Sequence, residues 1–386
     1  MTYPSDPAQG PLRLAERLIQ LLDQGSFSAT YKYAVLLALM DLCLERTSAT
    51  GQPPDTLTTR MLAEKVIQLY WPHCAPFDGD RVLRQSTGGA NGQAEILRRI
   101  IGFREEASRE PGASLSLTRA RAQVAPQRWE SLVWFVEWKL IEMPLPRLQY
   151  IGNHEDRFLY EIGWHLSSRA HGWKVTIAPQ EIRLYQRGEV STFDNRILLK
   201  PGVSEQLVQL SGVLRPLIHR QWAMMVAKMN RLEESRLEAF LFGGKRIDLS
   251  PVRQNLRDLQ NNRCFYCLNK MDARCEVDHF IPWARYADNG IDNLVVTHAS
   301  CNNHKRDFLA AAEHVERWQE RSRQSETQLL SIAAGAAWES NPERVFNTGR
   351  ALYSRLPEDA KLWRLGDEFV SFERARVLGA FVQPRG

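Results

Sequence analysis

Metal-binding residue types stand in two spaced pairs within one short stretch of the chain. Cys264 and Cys267 form a C-x-x-C pair, and His298 and Cys301 form an H-x-x-C pair. Thiolate sulfur and imidazole nitrogen are the ligands of structural zinc sites, in which the protein fills all four tetrahedral positions. The two pairs therefore predict a closed site for structural Zn²⁺, which would stabilise a segment too short to build a large hydrophobic core.

The second pair of ligands has rivals in the sequence. Cys301 and His304 form a C-x-x-H pair, and Cys275 lies between the two favoured pairs. We favour His298 with Cys301, because this choice leaves the residues after Cys301 free for catalysis. Cys275 is expected to be a small buried residue. The two remaining cysteines are isolated, so the clustering of the other four indicates metal binding, not a disulfide scaffold.

Residues between and after these pairs could hydrolyse a phosphodiester. That chemistry needs a base to activate water and a cation to stabilise charge on the phosphorane and the leaving oxygen. His279 suits the base role, since imidazole titrates near neutrality. Asp278 offers a hard oxygen ligand to Mg²⁺ or Mn²⁺, and Asn302 could add an amide oxygen to the same ion. Asp278 and His279 are adjacent on a predicted strand, so a bulge or twist would be needed for both to face one phosphate.

The order and spacing of these motifs in residues 261–308 resemble the HNH (ββα-metal) endonuclease family in its zinc-stabilised form. The motifs are Cys264-x-x-Cys267, Asp278-His279-x-Ile281-Pro282, Asn293-Leu294-Val295 and Cys301-Asn302-x-x-Lys305. His298 stands where many members of the family have cysteine, a conservative departure because both residues bind zinc. The resemblance implies an antiparallel hairpin, with strands over 276–281 and 293–297, followed by a helix from about 300 to 308.

The resemblance also implies roles for individual residues. Asp278, His279 and Asn302 match the family's metal-binding and catalytic positions. Asn293 matches the family's middle asparagine, which holds the catalytic loop through backbone hydrogen bonds, and Lys305 matches a basic residue expected to contact phosphate. Two further residues are weaker candidates for substrate binding, since each has an ordinary structural alternative: His304 on the helix surface, and Arg285 in the loop between the strands.

The function expected from these residues is hydrolysis of DNA by a metal-dependent endonuclease. One alternative is a zinc-knuckle module that binds nucleic acid without cutting it. Another is a nuclease arm controlled by a sensor or protein partner through the rest of the chain, as in restriction or phage defence, which is a family-level association. A single HNH site nicks one strand, so double-strand breaks would need a homodimer or two events.

The elements outside this stretch are predicted to be mostly helical. Leu14, Leu18, Leu21 and Leu22 recur at helical spacing, and the apolar run at 30–44 predicts a buried helix. Further elements are expected as two helices at 203–213 and 217–229, a strand at 182–185 and a helical segment at 357–378. The predicted fold class is a mainly α multidomain protein with a small α+β HNH zinc module toward the C-terminal half.

The predicted domain organisation has four parts. These are a helical region at 1–165 that could serve as a scaffold or bind DNA, a small α+β and helical connection at 166–245, the HNH module at 246–310, and a helical region at 311–386. The N-terminal region contains two helices separated by a turn, a pattern that helix-turn-helix proteins also show. A plain helical scaffold is the simpler interpretation and the one we favour.

Bulk composition is that of an ordinary globular protein. Of 386 residues, 44% are hydrophobic and 25% are charged, and the net charge of +5 is compatible with a nucleic-acid partner without requiring one. No stretch approaches the roughly 20 uncharged apolar residues that span a bilayer. The first ten residues lack the features of a signal peptide. We therefore expect a cytoplasmic protein without a membrane segment.

Overall fold

The computed structural model describes residues 10–25, 28–79, 81–88, 93–107, 126–164, 166–169, 172–175, 179–187, 193–243, 248–272 and 274–382. Helices dominate these residues and the sheets are small, which confirms the predicted fold class. The chain divides into two compact units, one formed by residues 1–43 and 54–243 and the other by residues 44–53 and 244–386. The four-part division stays a prediction.

The first unit is built from helices and short antiparallel strands. Its helices are α1 (Pro11–Gln24), α2 (Tyr31–Glu45, which ends in the second unit), α3 (Thr59–Tyr70), α4 (Glu95–Ala107), α5 (Pro126–Glu142), α6 (Pro144–Arg147), α7 (Pro179–Gln186), α8 (Val203–Asn230) and α9 (Glu234–Phe242). Its strands are β1 (Thr56–Thr58), β2 (Tyr150–Ile151), β3 (His154–Glu155), β4 (Tyr160–Ile162), β5 (Leu166–Arg169), β6 (Gly172–Val175) and β7 (Arg196–Leu199). Strand β7 lies between β1 and β4 in an antiparallel sheet.

Apolar spacing accounts for the first helices. The four leucines predicted as the inner face of α1 are all buried. Helix α2 is buried on every face over 33–44, as its continuous apolar run predicts. Helix α3 begins where the Thr58 hydroxyl accepts a hydrogen bond from the Met61 N–H, which satisfies one of the unpaired donors of the first turn.

Two predictions about the first unit are wrong. Residues 203–230 form one helix, although Pro216 lies inside it, because the proline is exposed while Leu214, Ile218 and Trp222 keep one buried face in register. A proline removes a single N–H donor, which a well-packed helix tolerates. Residues 182–185 lie in helix α7, not in a strand; Pro179 opens this helix and Glu181 lies in its first turn, where both residues favour a helical start.

The second unit carries the hairpin and helix expected for the metal site. Its elements are α10 (Ser250–Leu259), β8 (Cys275–His279), β9 (Leu294–His298), α11 (Ala299–Lys305), α12 (Ala312–Gln324), α13 (Glu326–Gly335), α14 (Pro342–Ser354), β10 (Lys361–Leu365), β11 (Glu368–Ser371) and α15 (Arg374–Ala380). Strands β8 and β9 pair antiparallel. Trp318 of α12 is fully buried and stacks on Phe280. Its indole N–H donates to the Asp292 carbonyl, so α12 packs against the loop between these strands.

The prediction of a helical segment at 357–378 is also wrong. Strands β10 and β11 form an antiparallel hairpin there, and Gly366 at its turn has a φ of +53°. A Gly-Asp pair between two β-prone runs is a recognised hairpin pattern, and Gly366-Asp367 is such a pair. The aromatic residues of this segment lie on the two strands of that hairpin and on the residues that follow it, not on one helix face.

Candidate metal centre and catalytic strand

The two predicted ligand pairs come together in space. The Sγ atoms of Cys264, Cys267 and Cys301 and one ring nitrogen of His298 all lie within 4.8 Å of one another. The first pair lies on a tight turn in which the Leu268 N–H donates to the Cys264 carbonyl. The second pair lies where β9 passes into α11. Three thiols and an imidazole fit a tetrahedral zinc ion, which is bound by this donor set in closed structural sites.

Hydrogen bonds orient the imidazole of this cluster. The Nδ1 atom of His298 lies 3.3 Å from Cys267 Sγ, and Nε2 lies 3.2 Å from the Lys270 carbonyl oxygen. Because a carbonyl only accepts, Nε2 carries the proton and Nδ1 presents its lone pair to the cluster, the usual arrangement of a metal-binding histidine. The pKa of Cys264 is lowered by a hydrogen bond from Cys301 and by nearby backbone N–H groups, which favours the thiolate that a metal binds.

The rival ligands lie outside the cluster. Cys275 is buried at the start of β8, opposite His298 in the strand ladder, and is absent from the group of converging ligand atoms. His304 is exposed, and its Nδ1 lies 2.6 Å from the Ser300 carbonyl oxygen. The geometry therefore favours the His298 and Cys301 pair.

The strand that carries Asp278 and His279 is regular. Its residues pair with β9 without a register shift, from Cys275 opposite His298 to His279 opposite Leu294. The bulge that the adjacent pair was expected to need is absent from this ladder. Asp278 therefore faces helix α11, and His279 faces the loop between the strands, so the two side chains lie on opposite faces of the strand end.

The Asp278 carboxylate is held from two directions. Its Oδ2 atom accepts a hydrogen bond from the Tyr266 hydroxyl at 2.6 Å and lies 3.0 Å from Lys305 Nζ. Both contacts fall on Oδ2, so Oδ1 accepts no hydrogen bond from the described residues. Burial raises the pKa of Tyr266, so its hydroxyl stays protonated and donates to this carboxylate.

Lys305 is buried beside Asp278. Its side chain is 0% exposed, because the ammonium donates to the His279 carbonyl at 2.7 Å and pairs with Asp278. Lys305 thus joins α11 to the end of β8, and its expected contact with phosphate stays a prediction.

His279 is half-buried at the end of β8. Its Nε2 atom is 2.8 Å from the Asn289 side-chain oxygen, and its ring lies against Trp283. Burial lowers the pKa of His279 below its ordinary value of 6.5, although Asn289 and Asp278 act in the opposite direction. The imidazole is consequently neutral at pH 7, the form that can accept a proton.

Asn293 holds the loop between the strands. Its side-chain oxygen accepts from the Ile281 N–H at 2.8 Å, and its amide nitrogen donates to the carbonyls of Ile281 and Asp288. The residue is fully buried, and its own carbonyl accepts from the Phe280 N–H. These contacts are the backbone bonds that the resemblance implied for the middle asparagine.

The remaining candidates lie at the surface or the rim. Asn302 donates its side-chain N–H to Glu276 at 2.8 Å, and its side-chain oxygen accepts no hydrogen bond from the described residues. Arg285 is half-buried in the loop between the strands. The neighbouring Tyr286 is buried and donates to Glu45, so it is unavailable to a ligand.

Three residues at this site were not singled out from the sequence. Glu276 lies two residues before Asp278, and the period-two alternation of a strand could have placed both carboxylates on one face. Tyr266 stands inside the C-x-x-C pair, where nothing in the spacing connects it to Asp278. Asn289 lies in the irregular loop, and no periodicity indicates which loop side chain reaches His279.

Comparison with known families agrees with this site. Residues 264–311 match the family model described as HNH endonuclease, so the resemblance drawn from the motifs is confirmed. This part of the chain is a nuclease domain of a class that binds metal and acts on nucleic acid.

A second family model covers most of the remaining chain. It is described as a domain of unknown function (DUF8808) and matches residues 11–241, which is more than half of the protein. The chain belongs to this family. No curated protein matches the chain. None of the helices in the described residues has the length and apolar character needed to cross a membrane.

Proposed function

We propose that the protein is a metal-dependent endonuclease that hydrolyses DNA phosphodiester bonds, with His279 as the general base. The observation that carries this proposal is the packing of α11 on β8. Asn302 contacts Glu276 and Lys305 contacts Asp278, so one short helix brings an amide and an ammonium to the two carboxylates of β8, the strand that ends in a half-buried, neutral imidazole.

The donor atoms on the α11 side suit a hard divalent cation such as Mg²⁺ or Mn²⁺. The free oxygens of Asp278 and Asn302 and the Glu276 carboxylate are the ligand types that such cations prefer. When bound, the cation would stabilise the negative charge that develops on the phosphate and the leaving oxygen. Asp278 and Asn302 would hold it, and the Tyr266 hydroxyl and the Lys305 ammonium would orient the Asp278 carboxylate.

The imidazole on the other face would accept the proton of the attacking water. A scissile phosphate lying over the end of β8 would meet both faces of the strand, which makes the bulge expected from the sequence unnecessary. The cluster formed by Cys264, Cys267, His298 and Cys301 would hold a structural Zn²⁺ and take no part in the reaction, because all four of its positions are filled by protein.

The proposal is tested by cleavage of supercoiled plasmid DNA in the presence of Mg²⁺ or Mn²⁺. We expect His279→Ala to lower the rate by about 10²- to 10⁴-fold, the usual contribution of a general base, while zinc content and DNA affinity remain those of the parent. A protein that binds DNA but cuts it with neither cation would instead be the non-catalytic zinc-knuckle binder. Equal rates for the parent and His279→Ala would remove His279 from the mechanism.

A further inference from the structure

A segment outside the matched nuclease domain holds the loop that carries Asn289. This segment, residues 338–344, follows α13 and includes the first turn of α14. It contacts the loop at four of the five positions from 288 to 292. The contacts are Arg344 to the Asp288 carboxylate at 2.8 Å, the Trp338 indole N–H to the Asn289 carbonyl, the Ile291 N–H to the Glu339 carbonyl at 2.8 Å, and Ser340 and the Asn341 N–H to the Asp292 carboxylate at 3.0 and 2.8 Å.

The fifth position is occupied by Gly290, where a larger residue would crowd these contacts. A Cβ atom there would lie 3.3 Å from an Asp288 carboxylate oxygen and 3.5 Å from the Arg344 guanidinium. The Asp288 and Arg344 side chains are almost fully shielded from solvent, at 1% and 11% exposure. A buried ion pair with additional hydrogen bonds defines one geometry, since a displaced partner would leave an uncompensated charge. The 338–344 segment therefore sets the position of the loop backbone on both sides of Asn289.

The Asn289 side chain connects this loop to His279 by a hydrogen bond. Its amide oxygen lies 2.8 Å from His279 Nε2. An amide oxygen accepts but cannot donate, so this contact requires the proton of the neutral imidazole to reside on Nε2. The lone pair then lies on Nδ1, which is the nitrogen left to accept a proton. Asn293 cannot perform this task, because its side chain is fully used by the backbone of Ile281 and Asp288.

We propose that Asn289 is a positioning residue that selects the Nε2–H tautomer of His279, and that the 338–344 segment completes the nuclease by fixing Asn289. This inference rests on the proposed function, in which His279 is the base. It extends the working unit of the nuclease beyond residue 311, where the family match ends. The 338–344 segment would then affect the reaction indirectly, through the position of Asn289.

The first test compares two substitutions at Asn289 in the full-length, zinc-loaded protein. Asn289→Leu has a similar shape but no acceptor, whereas Asn289→Asp keeps an acceptor oxygen. We expect Asn289→Leu to lower the single-turnover rate of plasmid cleavage about ten- to hundredfold with unchanged DNA affinity, and Asn289→Asp to restore most of that rate. Equal rates for Asn289→Leu and the parent would overturn the proposal, as would equal losses in both variants.

A spectroscopic readout separates positioning from a merely structural role. The ¹⁵N chemical shifts of labelled histidine rings distinguish the Nε2–H from the Nδ1–H tautomer, and loss of a signal in His279→Gln assigns the resonances. The parent should show His279 as Nε2–H, and Asn289→Leu should show a mixture. An Nδ1–H ring in the parent would overturn the proposal even if the protein cuts DNA. Failure of the parent to cut DNA would instead overturn the proposed function.

The second test removes one contact of the 338–344 segment. Trp338→Phe loses the indole N–H that donates to the Asn289 carbonyl but keeps most of the ring. Its matched control is Trp164→Phe in the first unit, which also loses one indole-to-carbonyl hydrogen bond, in this case to Ile141. We expect Trp338→Phe to slow cleavage about three- to tenfold and to shift the His279 ¹⁵N signals, and Trp164→Phe to do neither. The same result in both variants would contradict the role of the segment.

Discussion

The cluster of Cys264, Cys267, His298 and Cys301 and the two residues at the end of β8 belong to one small domain, yet they are assembled differently. The cluster combines two local pairs, each with its members three residues apart, and the hairpin only has to bring the pairs together. Asp278 and His279 are adjacent, but each is held by partners from elsewhere in the chain. Tyr266 and Lys305 hold the carboxylate, and Asn289 holds the imidazole.

The difference shows what each kind of site demands. A metal ion imposes its own geometry on any ligands that can reach it, so correct spacing and residue types are nearly sufficient. A catalytic side chain has no such organiser and depends on hydrogen bonds that fix its orientation and protonation. Substitutions at each site should therefore differ in the size and kind of their effects.

The largest effect should come from the zinc cluster. Cys264→Ser removes one ligand, and we expect the domain to lose its metal and its cooperative fold. Zinc binding supplies apparent free energies of about 10–16 kcal/mol to small zinc-dependent folds, much more than the core of a short hairpin and helix. The check is zinc content per chain together with protease resistance of residues 248–382.

The control for this change is Cys275→Ser. Cys275 is a buried cysteine of the same hairpin that lies outside the cluster. It should retain one zinc per chain and the parent's protease resistance. Retention of zinc and fold in Cys264→Ser would show that the cluster is not the organiser of the domain.

An intermediate effect is expected from the pair that holds Asp278. Lys305→Met keeps the length of the side chain but leaves the carboxylate without its cation. Because Lys305 is 0% exposed and Asp278 only 10%, the change should cost about 3–5 kcal/mol in the free energy of unfolding of the second unit. Denaturant unfolding followed by tryptophan fluorescence measures it.

An exposed pair of the same unit is the natural comparison for Lys305→Met. Arg376 and Glu316 form an ion pair in which both side chains are more than 40% exposed. Arg376→Met should change the unfolding free energy far less, since solvent screens such pairs. Similar losses in the two variants would mean that Lys305 is not the buried partner that this geometry requires.

The smallest effect is the dependence of cleavage on pH. Burial lowers the pKa of His279 below 6.5, so at pH 7 and above most of the rings are neutral and able to act as a base. The cleavage rate should therefore depend only weakly on this group at neutral and alkaline pH. Below the pKa of His279 in the folded protein, the rate should fall about tenfold per pH unit, because each unit leaves one tenth as much neutral imidazole.

Measurement of the single-turnover rate from pH 5 to 8 tests this expectation, with zinc content checked at each pH, since acid also protonates zinc ligands. A decline in rate that begins well above pH 6.5 on acidification would mean that burial does not lower the pKa of this ring. The pKa of His279 would then resemble that of an ordinary surface histidine.

The sequence by itself determined the parts of this protein that depend on residue type and short spacing. The C-x-x-C and H-x-x-C pairs predicted the four side chains that the structure brings together, and the Asp278-His279 and Asn302 motifs predicted the HNH resemblance that the family match confirms. Apolar periodicity predicted α1 and α2. The same reasoning failed at Pro216, where the buried face of the helix outweighs one missing hydrogen bond. It also failed at Gly366, where a hairpin turn lies within a segment predicted to be helical.

The tertiary structure alone decided which groups meet at the end of β8. Spacing could not show that Lys305 would lie inside against Asp278, because a lysine four residues after a zinc ligand is as compatible with solvent as with a buried carboxylate. Nor could it show that residues 338–344 would hold the loop carrying Asn289, about fifty residues away in sequence. Contacts over such distances depend on how helices and loops pack, and packing is a property of the whole unit that no local pattern encodes.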